Sequence, residues 1–453
     1  MLALSRVAAA ARHPTRRLPR LLHTSVPLRE RATRRSQLLA KELTKAGSIS
    51  ELVRMHTDYR AGIGHVHMPT LWHKLSVLSR RSEERLWLKK HTPQLASLCD
   101  HTVELLPKID MSGLASTTSS LARTGLSGPP AAAMWAAVDA EVQATLGECG
   151  ANELSRVAWA YAIARRRAPD LLDRLSAEAQ LRLEEFSAQN LSDTAWAFAK
   201  VRHSAPALFE ALSAEAEGRL AEFGARELSS TAWAFATARH PAPALFEALG
   251  AQAEGRLAEF NAQELANTAW AFARARHDAP ALFDALGAEV RQRLAEARAM
   301  ELHSKFSSEG LGSTAWAFAT AQHAAPELFE ALAAEAQARL NEFSAQGLAN
   351  TAWAFATAQH PSPALFESLA VEAQGRAAEF TPQGLANTAV AFATAGHDAP
   401  TLFDAFGAEA LRRVGEFNLQ DLAGVTRAFR LAEHEAPELL EALRVEGERK
   451  RVP

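Results

Sequence analysis

The residues of this chain best suited to chemistry are short polar side chains that recur at one position of a repeated motif. Asparagine, serine and aspartate donate or accept hydrogen bonds, which suits them to the edges of nucleic-acid bases in proteins that read one base per repeat. The alternative is a solvated helix face, where substitutions are tolerated. In successive units this position, called the first column, holds Arg156, Asp193, Ser230, Asn267, Ser313, Asn350, Asn387 and Gly424.

Two further columns accompany the first. The second lies seven residues later, hence on the same helical face, with a small alanine such as Ala197 between the two columns as a floor. It holds Ile163, Lys200, Thr237, Arg274, Thr320, Thr357, Thr394 and Leu431. The third column could contact backbone phosphates or could complement a helix dipole, and it holds Arg165, Arg202, Arg239, Arg276, Gln322 and Gln359.

A repeat of 37 residues must position these columns. Each unit carries a leucine, and five residues later the first six units carry a tryptophan. One step is longer by nine residues, which we place at Ala297–Lys305 and expect to extend one hairpin without breaking the array. The anchor leucines are Leu154, Leu191, Leu228, Leu265, Leu311, Leu348, Leu385 and Leu422; the tryptophan position holds Trp159, Trp196, Trp233, Trp270, Trp316 and Trp353, then Val390.

Each unit reads as two antiparallel helices. Ser187 is an N-cap residue, and Phe186 before it predicts a hydrophobic staple onto Leu191. Helix A should run from about residue 188 to 202, and Pro206 should begin a helix B that continues to Phe223. Such a hairpin cannot bury its apolar face alone, so stacking predicts an all-α fold, an α-solenoid of about ten helix-turn-helix repeats.

The chain divides into three predicted segments. Residues 150–453 hold eight regular repeats, and residues 36–149 hold degenerate capping repeats, one from Leu114 and one over His67–Asp110. Residues 1–35 carry nine arginines and one acidic residue, Glu30, which is typical of an organellar transit peptide. A basic tail that binds nucleic acid is the alternative. The stretch from Arg20 to Ser25 resembles a two-step mitochondrial processing site and favours the mitochondrion over the plastid.

Two further columns that recur in the repeat receive structural interpretations. We expect the tryptophans to pack in the core between repeats, because aromatic residues at helical spacing usually pack. The histidines should cap helix A at its carboxyl end, favoured by the dipole, and they lie too far apart to share a metal ion. They are His203, His240, His277, His323, His360, His397 and His434.

Several function classes are not expected. The sequence has no P-loop, GxSxG or HExxH motif, so we expect no enzyme, no cofactor and no small-molecule substrate. Cys99 and Cys149 are far apart, which argues against a disulfide framework and a structural zinc site. No apolar run is long enough to span a membrane. The formal net charge is −3, but residues 150–453 alone carry −12, which opposes strong binding of polyanions.

The repeat resembles the octotricopeptide and heptatricopeptide repeats of organellar RNA-binding proteins. The stretch LANTAWAFATAQHPSPALFESLAVEAQGRAAEF at Leu348–Phe380 carries the resemblance, and Gly62–Leu78 resembles the usual first unit. Related arrays occur in Fas-activated kinase-like mitochondrial RNA proteins and in RNA-editing substrate-binding subunits. Many relatives end in a nuclease-like RAP domain, of which we expect no counterpart here.

The resemblance implies a protein that binds single-stranded organellar RNA and acts in mitochondrial or plastid transcript or ribosomal-RNA processing, stability or translation. Organellar ribosomes and RNA-processing proteins are further expected partners. The alternative is a protein-binding α-solenoid scaffold in an organellar complex such as the mitochondrial ribosome, a common use of such arrays.

Overall fold

The computed structural model describes residues 28–300 and 304–451, and every regular element in these residues is an α-helix or a short 3-10 helix. It separates into two compact units, one up to Leu171 and one from Leu172 onward. Residues 1–27 of the predicted transit peptide lie outside the described part of the chain. Helix α1 begins at Leu28. The predicted boundary at residue 150, between degenerate capping repeats and regular repeats, stays a prediction.

The helices of the first unit already follow the repeat plan. Helix α3 packs between α1 and α6, α6 also packs on α8, and α5 packs on α7. The elements are α1 (Leu28–Lys45), α2 (Ile49–Tyr59), α3 (Met68–Leu78), α4 (Ser82–Lys90), α5 (Ala96–Leu105), α6 (Met111–Thr124), α7 (Pro129–Thr145) and α8 (Ala151–Ile163), with α9 (Pro169–Gln180) crossing the division.

In the second unit the two helices of each hairpin form two parallel series. Each A helix packs on the next A helix and each B helix on the next B helix, which confirms the predicted solenoid. The A helices are α10 (Ala188–Val201), α12 (Ala225–Ala238), α14 (Ala262–Ala275), α16 (Ser308–Ala321), α18 (Ala345–Thr357), α20 (Pro382–Ala395) and α22 (Leu419–Leu431). The B helices are α11 (Pro206–Glu217), α13 (Pro243–Glu254), α15 (Pro280–Ala299), α17 (Pro326–Gln337), α19 (Pro363–Gly375), α21 (Pro400–Arg412) and α23 (Pro437–Arg451).

Local chemistry explains where helix A begins and ends. The Ser187 hydroxyl accepts from the backbone N–H of Asn190, whose side chain accepts in return from Ser187, a reciprocal capping box. At the other end Arg202 takes the left-handed conformation, and the N–H of His203 donates to the Phe198 carbonyl over 3.2 Å. This Schellman motif satisfies carbonyls that the last helical turn leaves free.

Helix B is shorter than the sequence indicated. The prediction of one helix from Pro206 to Phe223 was wrong: α11 ends at Glu217, and a 3-10 turn follows at Leu220–Glu222. The turn redirects the chain so that Phe223 is buried at the start of the next unit. Arg219, just before the 3-10 turn, forms ion pairs with Glu215 and Glu222. Arg256, at the same position of the next repeat, donates to the Phe223 carbonyl over 2.9 Å. The same contact to the preceding repeat recurs at Arg293, Arg339, Arg376 and Arg413, so these arginines tie consecutive repeats together.

The nine-residue insertion lengthens one helix. Helix α15 continues to Ala299, whereas the B helices α11, α13, α17, α19 and α21 stop after twelve or thirteen residues. Residues 301–303 lie outside the described part of the chain, and Ser304 then donates to Glu335 over 2.7 Å. Helix α14 still packs on α16, so the A-helix series continues past the insertion.

The histidine column contributes to packing between repeats. The ring of His240 lies 5.7 Å from that of Phe209 in the preceding B helix and 5.8 Å from that of Phe235 in its own A helix. Five members of the column also face a carboxylate of the preceding B helix, as His203 faces Asp173 at 2.8 Å. Each histidine does lie at the end of helix A, where its backbone N–H donates to a helix carbonyl, as from His203 to Phe198. The left-handed residue before each histidine turns the imidazole onto the neighbouring hairpin, and the contribution of the helix dipole stays a prediction.

Candidate functional site

One face of the A helices in the second unit borders a groove of about 1220 Å³. In helix α14 this face carries Asn267, Trp270 and Arg274, spaced three and four residues apart and therefore aligned. We call the corresponding positions of all A helices the groove face. The groove brings together seven members of the three columns: Arg202, Thr237, Arg239, Asn267, Arg274, Ser313 and Asn350.

The asparagines of the first column are held by a neighbour one turn earlier. Gln263 donates to the Asn267 side-chain oxygen over 2.8 Å, and Gln346 does the same for Asn350. With that oxygen engaged, each amide presents its NH₂ donors to a ligand. Asn387 is exposed, and Ser230 and Ser313 are half-buried. Both glutamines also line the groove. Glutamine recurs at the same position as Gln189 and Gln383, and this was the signal that sequence reasoning missed.

Asp193 in the first column already has partners within the chain. Its carboxylate lies 2.7 Å from the Arg226 guanidinium of the next unit and accepts from Gln189 over 3.3 Å. Burial raises the pKa of Asp193, and the charge of Arg226 opposes that rise. A carboxylate that is already in an ion pair is poorly placed to accept a hydrogen bond from a base. Asp193 therefore serves to connect two repeats.

The third column occupies a costly backbone position. Arg202, Arg239 and Arg276 have φ of 55–56° and are exposed, with Arg165, Gln322 and Gln359 in the same conformation. A side chain in the left-handed region costs roughly 1–2 kcal/mol relative to the right-handed helix. Glycine avoids that cost and stands there in one unit, at Gly396. Strain held repeatedly at exposed arginines is a reason to look for function.

The tryptophans are not buried as expected. Trp196, Trp233, Trp270, Trp316 and Trp353 are all half-buried, and Trp233 and Trp270 line the groove. Each indole does lie against the indole of the next repeat, but the prediction of a core column was wrong. Two residues later helix A carries a phenylalanine, such as Phe235, 1% exposed, and these side chains fill the core instead. The expected alanine floor is buried as well, since Ala197 is 1% exposed. Tryptophan, not alanine, separates the first and second columns.

Consecutive indoles form a ladder along the groove face. Their ring centroids lie 6.2–6.3 Å apart with interplanar angles of 30–33°, from Trp196 through Trp353. The Lys200 ammonium lies 5.8 Å from the centroid of Trp196 and 5.7 Å from that of Trp233. An accessible aromatic surface therefore lies beside hydrogen-bonding amides and cations.

In the compact unit that ends at Leu171, Arg156 belongs to a separate basic cluster with Arg80 and Arg123. Burial lowers the pKa of Arg123, and the nearby charges of Arg80 and Arg156 lower it further. The Arg123 guanidinium stands over the Trp159 ring at 4.7 Å from its centroid. Cation and indole are thus adjacent here too.

The described residues contain no group of three or more metal-ligating side chains, and no helix among them is long and apolar enough to cross a membrane. A family model described as RNA-editing substrate-binding complex 6 protein matches residues 109–369 and 289–414, more than half of the chain. No curated protein matches it.

Proposed function

This chain belongs to the RNA-editing substrate-binding complex 6 protein family, and from that premise we propose that its groove face binds single-stranded RNA. The observation that carries the proposal is the convergence in one groove of Asn267 and Asn350, two tryptophans, and Arg202, Arg239 and Arg274. Single-stranded RNA offers unstacked bases, free base edges and phosphates, and these three kinds of side chain match them.

The acidic body of the chain does not prevent such binding. Many of its glutamates are neutralised at the end of helix B, as where Arg339 pairs with Glu335 and Glu342. The cations of the second and third columns are placed differently: Lys200 lies over indoles, and Arg202 and Arg239 are exposed. Glu309 also lines the groove and disfavours phosphate there. Binding should be moderate and sensitive to salt.

The role that fits is an adaptor in mitochondrial transcript or ribosomal-RNA processing, stability or translation. The family's printed description refers to RNA editing, and the arginine-rich segment 1–35 supports import into an organelle. We expect Met1–Ser36 fused to a fluorescent protein to direct it to mitochondria. A fusion found in plastids would assign the other organelle, and a cytosolic fusion would remove the support for either.

The experiment is selection of RNA from a random single-stranded pool by the full chain, followed by anisotropy titration. Replacing Asn267, Asn350 and Asn387 together by alanine should cost up to about 1–3 kcal/mol per position for the selected strand, taking base readout in DNA as the guide. Affinity for unrelated RNA should change little, since phosphate contacts set it. Asn341→Ala, in the 3-10 turn Leu340–Glu342, is the matched control. Failure to select any strand at low salt would favour the protein-binding scaffold.

A further inference from the structure

The fold does not require the tryptophan ladder, which consists of Trp196, Trp233, Trp270, Trp316 and Trp353. The core between repeats is filled by other columns, in which Phe198, Phe235 and Phe272 are each 1% exposed. One unit carries the smaller Val390 at the ladder position and keeps the same hairpin, with α20 packed between α18 and α22. The repeat therefore folds without an indole there, while a continuous row of half-buried indoles along a groove presents an apolar surface of the kind that marks an interaction site.

The columns on either side of the ladder define the chemistry of that ligand. On one side stand amides such as Asn267, and on the other stand cations such as Lys200 and Arg274. A ligand that fits all three has a planar apolar face, a hydrogen-bonding edge and a negative charge, repeated along its length. A nucleotide strand has these three features in each residue.

The spacing of the ladder fixes how many nucleotides match one repeat. Consecutive indole centroids are 6.2–6.3 Å apart, nearly twice the rise of about 3.4 Å per nucleotide in a stacked strand. A strand that follows the ladder must therefore be extended, with its bases separated from one another. Each base can then stack on an indole in place of its neighbouring base.

We propose that the ladder binds extended single-stranded RNA at one base per repeat, each base stacking on one tryptophan of the groove face. This inference deepens the proposed function and rests on it. The footprint from Trp196 to Trp353 is five nucleotides, one for each indole of the ladder. The ladder ends where Val390 replaces the next tryptophan.

The test measures how affinity depends on strand length. Fluorescein-labelled random-sequence RNA pools of four, five, six and seven nucleotides are titrated against the full chain. We expect affinity to rise up to five nucleotides and then to level off. Trp270→Leu should weaken binding roughly 5- to 150-fold, the range for loss of one stacked base, whereas Trp270→Phe should retain most of the affinity. Thermal melting followed by circular dichroism checks that both variants fold.

A gain-of-function variant keeps the test independent of damage to the fold. Val390→Trp adds a sixth indole and should move the plateau from five to six nucleotides, with no gain for the five-nucleotide pool. If Trp270→Leu binds as tightly as the wild type while removal of the groove cations weakens binding, RNA binding stands and the stacking mode is overturned. If no pool binds at low salt, the proposed function itself fails.

Discussion

Two sets of repeats in the second unit share a backbone and differ in the charge along their groove face. The basic repeats, residues 187–277, carry five cations in the second and third columns. The neutral repeats, residues 307–397, carry none there. The basic repeats hold Lys200, Thr237, Arg274, Arg202, Arg239 and Arg276, and the neutral repeats hold Thr320, Thr357, Thr394, Gln322, Gln359 and Gly396 at the same positions.

The comparison separates what builds the repeat from what recognises a ligand. Indole spacing is 6.2–6.3 Å in the basic repeats and 6.2 Å in the neutral repeats, and the third column is left-handed in both. The fold therefore does not require the cations. Since phosphate contacts dominate affinity for nucleic acids, we infer that the basic repeats anchor the backbone and the neutral repeats contribute mainly through bases.

The largest effect should follow removal of charge from the basic repeats. Replacing Arg202, Arg239 and Arg276 together by glutamine gives them the third-column side chain of the neutral repeats. Loss of three phosphate contacts should weaken binding roughly 50-fold at about 0.15 M salt and lower the slope of log affinity against log salt by about 2. Anisotropy titrations across salt concentrations measure both. The control replaces Gln322 and Gln359 by alanine, and a slope equal to the wild-type slope in the arginine variant would contradict the account.

Adding charge to the neutral repeats is the converse change. Gln322→Arg with Gln359→Arg should raise affinity roughly 15-fold at the same salt and steepen the salt dependence by about 1.4, the effect of two phosphate contacts. The same titration measures the change. An unaltered slope would mean that the strand does not pass the neutral repeats.

A smaller effect is expected at Asp193, the acidic member of the first column. Asp193→Asn removes a negative charge from the groove face and frees Arg226, its partner at 2.7 Å. Affinity should rise about fourfold at the same salt, the equivalent of one phosphate contact. The ion pair involves an exposed arginine, so its loss should cost no more than about 1 kcal/mol of stability. Weaker binding of the asparagine variant would place Asp193 in direct contact with the ligand.

The smallest effect concerns stability. Arg202→Gly relieves a left-handed arginine and should leave the free energy of unfolding unchanged or raise it by up to about 1 kcal/mol, while lowering affinity. Urea denaturation measures the first and titration the second. If the arginine is present to complement the helix dipole, the glycine variant loses stability and binds RNA normally.

The repeating pattern made much of the fold predictable. Ser187, Phe186 and Pro206 carry local signals for a cap, a staple and a helix start, and helix A was placed to within one residue. The break after Glu217 was missed because Leu220 and Phe223 continue the helical period of α11, although Leu220 begins a separate 3-10 turn and Phe223 follows it. The spacing of apolar residues indicates which side chains are buried. A continuous helix and a helix followed by a 3-10 turn would bury the same side chains here, so the spacing cannot distinguish them.

The groove face was predictable only in part. The spacing of Asn267 and Arg274 put them on one side of helix A, and both line the groove. Trp270 was assigned to the core because it is large and regular in spacing, two properties that a buried column and a half-buried ladder share. The choice between the core and the groove depends on how the neighbouring A helix packs. In the structure that packing buries Phe272 and leaves Trp270 at the groove.

The measurement that tests the central claim most directly is site-specific crosslinking to RNA. A photoreactive benzoyl-phenylalanine is placed at Thr237, which lines the groove, and separately at Ala251, exposed on helix α13 of the same repeat. Each full-length variant is irradiated with labelled single-stranded RNA selected by the wild-type chain. If the groove face binds RNA, Thr237 crosslinks and Ala251 does not. Crosslinks of equal yield from both positions, or from Ala251 alone, would contradict the account.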